Sequence, residues 1–153
     1  MRVGAPAIPV AAATLPNATV LRRLAAMLYE SLLLVGVWAA LFFVPHLVIG
    51  VVWHLVAPPA VLAVHLILAF GLYFVWFWHR AGQTLAMQTW RLKLIDASTG
   101  ATLTLPRAIA RYALSWPSLL FFGAGVLWSV FDRERQFLHD RLAGTRIVQL
   151  PRG

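Results

Sequence analysis

The chain has 153 residues, 61% of them apolar and only 12% charged, whereas an ordinary soluble domain carries about 25% charge and 45–50% apolar residues. A formal charge of +8 would point to nucleic acid in a soluble protein. Here the basic residues flank apolar runs, so anionic lipid headgroups and membrane topology explain them and no nucleic-acid partner is expected. The absence of cysteine rules out disulfides, thiolate nucleophiles and cysteine metal sites.

Residues 1–20 hold Pro6, Pro9 and Pro16 among small residues, with Arg2 their only charge. They lack the ordered parts of a signal peptide and read as a flexible tail. The membrane domain is expected over 21–150, followed by a short tail at 151–153. Arg22-Arg23 open its organising stretch. Leu24 to Val44 would make a helix of about 31 Å, which matches a hydrocarbon core of about 30 Å. Glu30 is the one ionisable residue in that run. A carboxylate at mid-bilayer costs about 2.5–3.5 kcal/mol, and less nearer the interface, so Glu30 is expected to face protein and a partner rather than lipid.

Pro45 and His46 interrupt the run, and Leu47 to Ala57 is apolar apart from His54. That piece is too short to span; it either continues the first helix or lies along the membrane surface. Pro58-Pro59 is a firm break. Ala60 to Trp78 forms the second span, with Tyr73, Trp76, Phe77 and Trp78 as an interfacial belt before His79 and Arg80. Beyond Gly82-Gln83-Thr84, Trp90, Leu92 and Leu94 alternate with Arg91, Lys93 and Ile95. Asp96-Ala97-Ser98-Thr99-Gly100 and then Ala101 to Leu105 follow, which predicts a β-hairpin. Gly144 to Leu150 has the composition of a further strand that would complete a small juxtamembrane sheet.

Pro106 suits the first turn of a helix reaching Ser115. Arg107 and Arg111 share one of its faces, either anchoring headgroups or turning inward towards Glu30. Tyr112 to Phe131 stays apolar, interrupted by Trp116-Pro117, Gly123 and Gly125. The fold class expected is an all-α membrane protein with three apolar helical regions and a small juxtamembrane sheet. The third region is either a plain span or a hairpin bent near Trp116-Pro117 or Ser118. Arg2, Arg22, Arg23, Arg80, Arg91, Lys93, Arg107 and Arg111 place the N-terminus and 80–111 in the cytoplasm, with 45–59 outside. A plain span would export Arg133, Arg135, Arg141, Arg146 and Arg152; a hairpin would return them, provided protein covers its loosened backbone.

In the last part of the chain, Asp132, Arg133, Glu134 and Arg135 read as a solvated run that ends a helix. His139-Asp140 is more pointed, since an aspartate can fix an imidazole or receive an arginine bidentately. No histidine pair stands at metal-ligand spacing beside a carboxylate, so no metal is expected. Gly82 to Gln88 lacks the lysine and context of a phosphate loop, and no cofactor is expected. No nucleophile accompanies His139-Asp140, so the chain is not expected to be an enzyme.

Three groups of residues now stand together: Arg23 seven before Glu30, Gly82-Gln83-Thr84 after the second span, and Leu138-His139-Asp140-Arg141-Leu142-Ala143-Gly144-Thr145. They resemble the RDD family of small bacterial membrane proteins, over about residues 19–150. The family usually has aspartate where this chain has Glu30, so the charge is kept on a longer arm. The resemblance implies a multi-pass protein of the bacterial inner membrane with a cytoplasmic N-terminus. For the family it implies transport of unknown ligands or, in some members, cation–proton exchange.

Two functions are expected in competition. One is a non-catalytic membrane scaffold or accessory protein in which Arg23, Glu30, Arg111 and Asp140 form ion pairs. The other is a small transporter or cation/proton exchanger: Glu30 titrates, Arg23 and Arg111 set its affinity, and Asp140 closes the cytoplasmic side, with His139 also at the polar site and Arg107 and Thr84 in support. Partners are membrane lipids, including anionic headgroups, and either a second copy or another membrane protein. Gly36, Ala39 and Ala40 offer one small-residue contact surface. Whether Glu30 lines a cavity or is sealed against an arginine separates the two functions.

Overall fold

A computed structural model of the protein describes residues 15–120, 123–134 and 136–151. Helix α1 (Val20–Trp38) starts at Thr19, whose side chain accepts a hydrogen bond from the Arg22 N–H. It passes through one wider π turn (Ala39–Phe43) into α2 (Val44–Trp53), giving an unbroken helix from Val20 to Trp53. Pro45 accounts for the wide turn. It has no N–H to offer the carbonyl four residues back and its ring crowds that carbonyl, so the ladder relaxes and the Val44 N–H reaches Ala39 O. His46 Nδ1 meets the Phe42 carbonyl at 2.8 Å in the same turn. Residues 46–53 therefore continue the first helix, which ends at His54 in a left-handed conformation (φ 53°).

Helix α3 (Pro59–Arg80) returns after the two prolines. In both long helices an 18-residue apolar window contains no buried residue. Leu32, Val52, Val56 and Leu68 are among the large side chains left open. A water-soluble fold would instead cover such a surface.

The buried core lies at one end of these helices, where Ala26, Trp78, Met87, Leu92, Leu94, Leu103, Ala108 and Ile147 meet. Short α4 (Leu85–Thr89) leads into β1 (Leu92–Asp96), and β1 pairs antiparallel with β2 (Thr145–Gln149), Leu94 opposite Ile147. The hairpin expected between 90 and 105 does not form. The Asp96 N–H reaches Ala101 O at 2.9 Å, but the chain then diverges. The free edge of β1 is occupied earlier: the Leu94 N–H donates to Gly82 O at 2.7 Å and Gln83 Nε2 donates to Leu92 O at 2.6 Å. Leu103 is meanwhile drawn into the core, its carbonyl 2.9 Å from His79 Nδ1. The C-terminal strand falls where expected, but as the direct partner of β1.

Along the other edge of β2, the Ala18 N–H donates to Ile147 O and the Gln149 N–H to Pro16 O, both at 3.0 Å. The tail expected over 1–20 is thus held from Pro16 onward, while 1–14 lie outside the described residues, as do 152–153 of the C-terminal tail.

Helix α5 (Leu105–Leu120) runs through Trp116-Pro117 without ending, and α6 (Ala124–Phe131) starts from Gly123 in a left-handed conformation (φ 70°). A Cβ added to Gly125 would overlap the Ser118 hydroxyl and lie 2.7 Å from Ser118 Cβ. Residues seven apart in one straight helix are separated by about 10 Å, so the chain doubles back. The plain span over 112–131 is not formed. The two helices fold back on each other as in the hairpin, and α5 runs on past Trp116-Pro117 and Ser118, where the bend was expected. Helix α7 (Leu138–Leu142) then connects to β2.

Candidate functional site

Arg23, Ala26 and Glu30 are the buried residues of α1, and their spacing puts them on one helical stripe. Two hydroxyls from distant segments meet the Glu30 carboxylate. Tyr73 of α3 donates to Oε1 at 2.6 Å, and Thr84 donates to Oε2. Thr84 also caps α4 by accepting from the Met87 N–H at 3.3 Å. Its acceptor side is thereby engaged and its proton is directed at Glu30. Gly82 sets the position of this threonine. It is left-handed (φ 68°), and a Cβ there would stand 2.7 Å from the Leu94 carbonyl, so only glycine lets the loop dock on β1.

Neither helical arginine reaches Glu30. Arg111 gives Nε (2.8 Å) and Nη2 (2.6 Å) to Asp140 Oδ1, both residues being almost wholly buried, and its guanidinium lies over the Trp78 ring at 4.1 Å. Arg107, at the start of α5, pairs with Asp96, whose other oxygen holds the 96–99 turn through the Ser98 N–H (2.8 Å). The nearer carboxylate wins in each case: α7 delivers Asp140 to Arg111, and β1 ends beside Arg107. Arg23 donates Nε to Ala18 O at 2.9 Å, stacks over Phe137 at 5.0 Å and feels the charges of Asp140 and Asp132. Asp132 is not part of a solvated run; it is buried, paired with Arg141 and hydrogen-bonded by the Gln136 N–H at 2.9 Å.

His139 Nδ1 and Ser118 Oγ share a hydrogen bond at 3.0 Å. The other ring nitrogen is 3.7 Å from Asp140 Oδ1, too long for a hydrogen bond, and that oxygen is already taken by Arg111. The histidine therefore fastens α7 to α5, beside the Ser118–Gly125 contact. Burial, reinforced by Arg111 and Arg23 against the opposing pull of Asp140, pushes the His139 pKa down from 6.5 to about 4. As pH falls through that interval, the unfolded chain takes up a proton that the folded site refuses. Stability should be level above about 6.5 and drop by on the order of 3 kcal/mol towards 4. Thermal melts followed by tryptophan fluorescence should show this fall, and His139→Gln should flatten it; an equal fall in the variant would clear His139 as its cause.

One cavity of about 330 Å³ gathers Arg23, Glu30, Thr84, Arg111 and His139. Its other walls are largely apolar and aromatic, with Phe70, Phe74, Tyr112 and Trp116 prominent. Helix α3 packs against both α1 and α5, which make no extended contact with each other. Among the described residues no three His, Asp or Glu side chains converge as a metal site. Five of the seven residues expected at the polar site thus share the cavity, Asp140 stands behind Arg111, and Arg107 is elsewhere. Sequence reasoning missed Tyr73, which had been absorbed into the aromatic belt, and gave Ser118 only as a place for the bend.

The sequence profile of the RDD family matches residues 17–144. An uncharacterized protein of Rickettsia prowazekii (strain Madrid E) is 35% identical over 77 residues, which cover 50% of this chain and 42% of that protein. The chain thus aligns with less than half the length of this relative. No solved structure matches.

Proposed function

The chain belongs to the RDD family, and from that premise we propose that it is a small multi-pass protein of the bacterial inner membrane that exchanges a cation for a proton at Glu30. The observation that carries this reading is the setting of that carboxylate: it lines a cavity and is held by the Tyr73 and Thr84 hydroxyls. Hydroxyl hydrogen bonds support either a carboxylate or its protonated form, whereas a permanent guanidinium partner would fix the charge.

In this reading α1–α2 and α3 cross the bilayer, and the α5–α6 hairpin enters and returns. The N-terminus and the sheet then lie in the cytoplasm, with Arg22, Arg80, Arg91, Lys93, Arg133, Arg141 and Arg146 on one side beside anionic headgroups. Arg111, paired with Asp140 behind it, stands in the cavity wall. Three helical regions enclose little volume, so a second copy is the expected partner. A scaffold role is the second reading, favoured by the number of contacts in which these polar residues simply join one element to another.

Proton flux in reconstituted vesicles separates the two. Wild type with an interior pH dye should respond to an imposed gradient of a cation, whether Na⁺, K⁺ or an organic cation, and Glu30→Gln should abolish the response while melting within a few degrees of wild type. A wild-type protein that moves no protons with any alkali or organic cation at any pH would leave only the scaffold.

A further inference from the structure

The walls of the cavity bear on which cation it would take. A small inorganic cation stripped of water needs about six oxygens around it. Around Glu30 stand its own two oxygens and the hydroxyls of Tyr73 and Thr84. The nearby Ser31 hydroxyl is turned to the Leu28 carbonyl at 2.7 Å. Beyond them the lining is mostly carbon: Leu34, Phe70, Phe74, Tyr112 and Trp116. A charge spread over an apolar body has no need of six oxygens; it is satisfied by one carboxylate and by aromatic faces.

Residues of α1, α3 and α5 all face the cavity, so three separate helices present apolar and aromatic walls to whatever occupies it. From these observations we infer that the cavity admits a lipophilic organic cation and seats its charge on Glu30. This rests on the exchange reading at Glu30 and names the class of substrate.

The charges facing the site are consistent with it. Tyr73 of α3 and Thr84 before α4 bring no formal charge. Arg23 stands about 10 Å along α1 from Glu30, at the end of the cavity where it feels the charges of Asp140 and Asp132. Arg111 of α5 is engaged by Asp140, and His139 of α7 is neutral above about pH 4. The exchange is balanced: the protonated Glu30 carboxyl releases H⁺ to solvent as the organic cation takes its place beside the carboxylate.

Tetraphenylphosphonium tests this with the purified full chain in a maltoside detergent, by tryptophan quenching with pH recorded in weak buffer. Saturable binding is expected, with release of up to one proton per cation and an affinity that rises towards tenfold per pH unit on the acid side. Glu30→Gln should bind at least tenfold more weakly and release no proton, and laurate or NaCl should displace none. Equal binding by wild type and E30Q, or saturable laurate binding in place of tetraphenylphosphonium, would overturn the inference. Should E30Q fail to fold, the wild-type proton count decides alone, and no release between about pH 5 and 9 refutes it. If Na⁺ drives proton flux in vesicles but tetraphenylphosphonium displaces no proton, the exchange reading stands and this inference falls. If neither occurs, both fall.

Discussion

Replacing Asp140 with alanine should destabilise the protein by about 3–5 kcal/mol, the largest effect expected of any single substitution. The carboxylate is wholly buried, and its Oδ1 takes two hydrogen bonds from Arg111, itself only 5% exposed. Arg23 also feels its charge. Removing it leaves a buried guanidinium stacked on Trp78 with nothing to balance it, and the desolvation cost already incurred by the arginine is no longer offset. The same reasoning predicts recovery. A double variant, Arg111→Met with Asp140→Leu, removes both charges and should regain most of the loss, because an apolar pair of similar volume is often as stable as a buried ion pair. Melting in detergent followed by tryptophan fluorescence reads both effects. If D140A melts with wild type, the pair contributes nothing to stability.

Gly125→Ala is the second large effect. One methyl group would normally favour a helix over glycine, by about 1 kcal/mol. Here it has no room, since a Cβ would overlap the Ser118 side chain and stand 3.2 Å from Ser118 Cα. Turning the serine hydroxyl aside leaves the Cβ clash in place, so α6 must move away from α5. Overpacking of this kind costs about 1–3 kcal/mol, and the displacement would also strain the Ser118–His139 hydrogen bond. Ser118→Gly should rescue G125A in part by vacating the same space, although it forfeits that hydrogen bond itself. A thermal melt of G125A no lower than that of wild type would show that the two halves of the hairpin are not in contact at this point.

Much of this protein is legible along the chain. The two long apolar helices, the proline break between them, the strands at 92–96 and 145–149 and the family's terminal motif all follow from local features. Hydropathy, alternation, turn-forming residues and short spacings are properties of neighbours, and neighbours in sequence are what a sequence displays. The role of Gly82-Gln83-Thr84 was visible as a signature, though its mechanism was not. Glycine frees the loop to dock on β1, glutamine ties it to the strand edge, and threonine joins the cap of α4 to Glu30.

Composition and periodicity alone determined that the chain carries two apolar helices of spanning length, a small sheet and one carboxylate on the first helix that has to face protein. Only the tertiary structure decided who meets whom. Tyr73 and Thr84 come to Glu30 across 43 and 54 residues, and Asp140 comes to Arg111 across 29. The same is true of the run from 112 to 131, because a sum of apolar residues is identical for a straight span and for two short helices folded face to face. The cause is common to all of these. Burial is an average over a segment and is written locally, whereas a hydrogen bond or ion pair depends on angstrom-scale approach between segments, which packing alone supplies.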